Sequence, residues 1–241
     1  MSNYLTDGYH REAAAYAPEN ARIGFIRRTY LHLAGSVAAL VGIEAVLLRS
    51  DVGLDVLQAM YGNRLSLLVV LGIFIGGGFL ARYMARADSG VAIKYLGLAL
   101  YIGLWAVMLL PILFMATHSP RFGGMAIVNQ AAVLTLIVFG GLTLTVFLTR
   151  SDFSGIGPFL FAASWALVAV IVAGILFGFG LGLWISFLCI ALAAGYILYD
   201  TSNILHHYRT DEHVAASLEL FADVSLLFYH ILRVLMLNRN D

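Results

Sequence analysis

The stretch Gly195–Arg233, GYILYDTSNILHHYRTDEHVAASLELFADVSLLFYHILR, decides the fold. Two apolar segments meet in it across a short polar link. Asp200, Glu219, Asp223 and His230 fall inside runs otherwise suited to hydrocarbon. A charge at a bilayer centre costs about 2.5–3.5 kcal/mol on insertion scales, so several in one hairpin must face something other than lipid. On a 3.6-residue helix Glu219, Asp223, His230 and Arg233 form one stripe, and Tyr196, Asp200, Asn203 and His207 form a similar stripe on the preceding helix. If the two helices run antiparallel around a turn near Asp211 and Glu212, Asp200 and Asp223 lie almost equally far from it and face each other at one depth. Two facing carboxylates in a low dielectric do not both ionise readily, so one is expected to hold a proton at neutral pH. That describes a proton switch or a cation site; the plainer alternative is a buried hydrogen-bonded pair that only fixes helix packing.

Outward from this hairpin the whole chain has the same character. Hydrophobic residues make up 61% and charged ones 12%, about half the charge of an ordinary globular domain. Apolar runs near 20 residues recur along the length, which reads as a polytopic membrane protein. The formal net charge is zero and gives no nucleic-acid surface. The one cysteine, Cys189, sits in an apolar run, so neither an intramolecular disulfide nor a cysteine metal site can form.

Seven spans are predicted at about Thr29–Leu48, Leu65–Arg82, Lys94–Ala116, Met125–Leu148, Pro158–Gly180, Leu183–Leu205 and Ala216–Leu237. They make an all-α bundle over residues 27–237, after a polar tail of residues 1–26 and before a short C-terminal tail, residues 238–241. The polar seventh span is expected to be surrounded by the other six. The longest polar link is Ser50–Arg64, and the Gly-rich run Phe177–Leu183 leaves room for little besides a tight turn. Gly72, Gly76, Gly77, Gly78, Gly140, Gly141, Gly174 and Gly178 suggest close helix packing. Pro111 is expected to kink the third span and Pro158 to start the fifth. Nine Lys and Arg residues fall on the side of the N-terminal tail and five on the other, which puts the N-terminus in the cytoplasm. A seventh span this polar could instead tilt or re-enter.

The motif YDT at Tyr199–Thr201, followed by LELFADVSLLFYHIL from Leu218 to Leu232, resembles the last two spans of the Bax inhibitor-1 family. The resemblance is specific over about forty residues and extends loosely, through span number and order, to about 210. It implies that Asp200 and Asp223 are a hydrogen-bonded pair that senses pH and lies on a cation pathway, supplying the oxygens that a calcium ion would meet. It further implies an arginine latch near the cytoplasmic end of the second span, for which FLARYMAR offers Arg82 and Arg86, Arg82 being the deeper; the alternative is arginines snorkelling to the headgroups. The function so implied is a pH-sensitive calcium leak channel with no cofactor. The runner-up is a non-transporting regulator, since bacterial relatives modulate a membrane-anchored protease; an enzyme is not expected. Short loops and the lack of a targeting extension point to a bacterial inner membrane, and a monomer is expected.

The remaining polar groups admit two readings each. Glu219 either forms the mouth of the cation path or faces cytoplasmic water, and His230 either passes protons onward or packs by hydrogen bonding. Glu44 is expected to pair locally with Arg49 as readily as to serve a pathway. His206, His207 and His213 read as a wet interfacial cluster, being poorly spaced for a metal. Ser164, in FAASWAL, lacks the glycines of a hydrolase nucleophile.

Overall fold

The computed structural model describes residues 13–86 and 90–238. The described chain is helical: α1 (Glu19–Leu47), α2 (Asp51–Tyr61), α3 (Arg64–Arg86), α4 (Val91–His118), α5 (Met125–Thr149), α6 (Gly157–Phe177), α7 (Gly182–His206) and α8 (His213–Asn238). All but α2 are long and apolar enough to cross a membrane, the fifth span including a 3-10 turn at Ser154–Ile156 that leads into α6. These are the seven spans expected, and they form an all-α membrane bundle.

The first span begins ten residues earlier than the hydropathy suggests. Pro18 stands before the first turn and Glu19 places an acid there, where the amide dipoles favour negative charge. Arg22, Arg27 and Arg28 therefore ride on helical turns that project from the apolar stretch, and part of the expected tail is helix. Ahead of it, Ala14 is fully buried and its N–H donates to the Tyr208 carbonyl at 2.7 Å, tying the tail to the α7–α8 link.

Most of the polar link Ser50–Arg64 is the helix α2. The Ser50 hydroxyl accepts from the Gly53 N–H at 3.3 Å, and Asp51 follows in the first turn. The short helix buries Gly53 and Met60 and leaves Val52 and Leu54 outward, as an interfacial helix does. A Cβ at Gly53 would overlap the Leu47 carbonyl, so only glycine allows α2 to fold back this tightly.

At the centre is α8, buried along nearly its whole length against α1, α3, α4, α5 and α7. The expectation of six surrounding helices is corrected to five principal ones: α6 packs mainly on α7 and α3, at the periphery. As one 26-residue helix, about 39 Å long at 1.5 Å per residue, α8 is continuous and long enough to span. Of the glycines singled out from the sequence, Gly77, Gly78, Gly174 and Gly178 are close-packing sites, where a Cβ would sit 2.8 Å from Leu104, 3.3 Å from Tyr101, 3.1 Å from Leu181 and 2.7 Å from Arg64, and the other four are not. Gly72, Gly76, Gly140 and Gly141 meet no other atom where a Cβ would be, and so face outward. Another tight crossing is at Gly97 on α4, where a Cβ would sit 2.7 Å from the Ala81 carbonyl oxygen of α3. Gly178, at φ +74°, ends α6 and opens the turn into α7. Pro158 starts α6, and α4 runs helical through Pro111.

Candidate functional site

Asp200 lies two turns before the end of α7, and Asp223 lies in the middle of α8. Both are buried, at 6% and 5% exposure. The α7–α8 hairpin, closed by the link His207–Glu212, brings their side chains into hydrogen-bonding contact. One oxygen of the pair, Asp223 Oδ2, has no partner although it is shut off from solvent. A hydrogen bond between two carboxyls exists only while one of them carries a proton, because an ionised carboxylate is acceptor only.

One turn nearer the hairpin link, Glu219 is held by two arginines from the last turn and a half of α3. Arg82 Nε donates to Glu219 Oε2 at 2.7 Å, and Arg86 Nη2 stands 3.5 Å from Oε1. Arg82 also lies over the Tyr101 ring at 5.2 Å. Arg86 lies over the Tyr208 ring at 5.8 Å and donates to its hydroxyl at 3.1 Å. Burial pushes the Tyr208 phenol above its ordinary range, so it meets Arg86 as a neutral acceptor. Arg82 has the less exposed side chain of the two, 37% against 57%. Thus both candidate arginines reach the acidic stripe, but the carboxylate they grip directly is Glu219, with the aspartate pair in their longer-range field. Glu219 itself is 9% exposed and covered by the two arginines. Tyr101 and Tyr208 went unnoticed in the sequence; each belongs to a segment whose local pattern carries no sign of an arginine beneath it.

The other candidates are dispersed. His230 is buried on the same helix, its Nδ1 without a partner, two turns beyond Asp223. Glu44 does not pair with Arg49: both its carboxylate oxygens are buried and unpartnered. The reason is geometric, since Glu44 continues the inward stripe Phe25, Thr29, Leu33, Ser36 and Leu40, whereas Arg49 lies beyond the end of α1. The three histidines have separate partners. His206 Nδ1 meets the Ser202 carbonyl at 2.9 Å, His207 Nε2 stands 3.4 Å from Asp152 Oδ2, and His213 lies against His32 with ring centres 4.9 Å apart. Ser164 meets the Tyr196 hydroxyl at 2.9 Å. Among the described residues no three His, Cys, Asp or Glu side chains converge as a metal cluster, so Asp200 and Asp223 stand as a pair.

The family model for the inhibitor of apoptosis-promoting Bax1 matches residues 22–240, nearly the whole chain. The chain belongs to the Bax inhibitor-1 family. Among its relatives, Bax inhibitor 1 of Schizosaccharomyces pombe is 38% identical over 48% of this chain and 44% of its own length. The BI1-like protein of Arabidopsis thaliana is 30% identical over 92% of this chain and 83% of its own length, and Protein LIFEGUARD 3 of the same plant is 27% identical over 89% and 84%. Family membership and seven apolar helices together make this Bax inhibitor-1 relative an integral membrane protein.

Proposed function

We propose that the chain is a pH-sensitive cation leak channel in which the Asp200–Asp223 pair is the gate and calcium is the permeant ion. The observation that carries this reading is the buried carboxyl–carboxyl contact beside the arginine-held Glu219. With one shared proton the pair is a closed hydrogen bond. Without it, two like charges face each other in a poorly screened interior, and their repulsion favours separation. A calcium ion and that proton compete for the same oxygens, so acid weakens calcium binding. The pair offers at most four oxygens, fewer than the six to eight ligands of a tight calcium site, which suits passage better than storage. Arg82 and Arg86, on Glu219, stand between the pair and the hairpin link, so a cation moving that way requires them to turn aside. The reading extends to a monomer in a bacterial inner membrane, with the N-terminus cytoplasmic.

A second reading has support in the printed names of the relatives, which describe inhibitors of cell death: a non-transporting regulator that binds another membrane protein, such as a membrane-anchored protease. Calcium flux into vesicles that contain only the purified chain separates the two. Flux that changes with pH in the absence of any partner supports the channel, and vesicles no leakier than protein-free ones support the regulator.

A further inference from the structure

At the end of the bundle opposite the α7–α8 link, the peripheral placement of α6 leaves a cavity of about 410 Å³ between α3, α4, α6 and α8, capped by the last turn of α2. Its volume is that of a small-molecule site, and the proposed cation path does not use it. The lining is apolar and rich in methionine, with Met60, Met108, Met115 and Met236 contributed by three helices, α2, α4 and α8. Flexible thioethers fit a chain of variable shape better than a rigid ring. The polar groups are few: Arg233 and Tyr229 of α8 and Tyr61 of α2 line it. Arg233 makes one long hydrogen bond, 3.4 Å to the Gly182 carbonyl, and a guanidinium has five N–H donors to offer. Arg64, which donates to the Leu176 carbonyl at 3.3 Å, adds a second positive charge at the same loop. An apolar slot with a cationic rim, in a helix bundle that sits in lipid, is complementary to an amphiphile with a negative head.

We propose that this cavity is a binding site for an anionic phospholipid of the surrounding bilayer: one acyl chain lies among the methionines, and the phosphate is held by Arg233. The site is independent of the aspartate pair, and its test does not involve ion flux. The purified full-length chain is mixed in detergent with equal amounts of phosphatidylglycerol, phosphatidylcholine and palmitate, and retained ligand is read by native mass spectrometry. Phosphatidylglycerol should be retained in preference to the other two. Arg233→Gln should lower that retention about tenfold, the loss of one charge-assisted contact. Ile171→Trp, which fills the cavity from the peripheral α6, should lower retention with the rim charge intact. Arg49→Gln, an arginine away from the cavity, should change nothing. Equal retention of phosphatidylcholine, preferential retention of palmitate, or wild-type retention by both Arg233→Gln and Ile171→Trp would each overturn the assignment.

Discussion

At the scale of single residues, the arginines of α3 are organised around Glu219. Arg82 is anchored by a 2.7 Å charge-assisted hydrogen bond and by the Tyr101 ring, Arg86 by a longer contact and by Tyr208. Replacing Arg82 with Ala removes the stronger contact and leaves Glu219 buried beside the aspartate pair. We expect a loss of about 2 kcal/mol of stability for Arg82→Ala, and under about 1 kcal/mol for the more exposed Arg86→Ala, read from thermal unfolding in detergent. The basal cation leak should rise more for Arg82→Ala than for Arg86→Ala; the opposite order would make Arg86 the principal holder. Helical spacing was enough to put Glu219 and Asp223 on one stripe and to offer both arginines. It could not assign the partner, because that depends on how far α3 reaches along α8, a relation between segments 137 residues apart. Glu44 shows the same limit: its neighbour in the chain, Arg49, is not its neighbour in space.

At the scale of elements, hydrophobic length and turn chemistry were legible and helix contacts were not. The Gly-rich turn between α6 and α7 and the Pro start of α6 follow from local backbone chemistry. The glycines of α5 look like a packing face but meet nothing, whereas Gly97, inconspicuous in YLGLALYIG, carries a close approach of α4 to the α3 backbone. Gly97→Ala should therefore destabilise by about 1–3 kcal/mol through overpacking against the Ala81 backbone, with Gly140→Ala neutral or slightly stabilising, by the same unfolding measurement. Equal effects would mean that α3 and α4 can separate without cost. The α5–α6 link supplies a pH-dependent tie. Asp152 accepts from the Ser154 N–H at 2.9 Å and from Ser202 at 3.3 Å, and faces His207. The Ser154 backbone N–H above all holds its carboxyl down, to about 2. A depressed folded-state pKa stabilises fully above the ordinary aspartate value near 3.9 and loses that contribution as pH falls through about 2. The small stability deficit of Asp152→Asn, an exposed position, should be constant at neutral pH and shrink on acidification through that window. A deficit that does not change with pH would show that the charge is irrelevant.

At the scale of the whole molecule, five helices wrap a central helix that lipid alone would not tolerate. Burial of α8 against five neighbours is what makes Glu219, Asp223 and His230 affordable in one span. The sequence sets Asp200 and Asp223 equally far from a turn near Asp211 and Glu212; the link instead runs from His207 to Glu212, so Asp200 lies nearer to it than Asp223 does, and the two carboxyls still meet. The peripheral position of α6, and the cavity it leaves, had no sequence signature, since a span that faces lipid on most sides is as apolar as one that faces protein. The central claim is that the aspartate pair couples protons to cation passage. Its most direct test is calcium flux through the purified chain in vesicles, followed across about pH 6 to 8 for wild type, Asp200→Asn and Asp223→Asn. The account predicts pH-dependent flux in wild type and a flattened response in each variant, because the amide keeps the shape but does not titrate; the full wild-type response in both variants would contradict it.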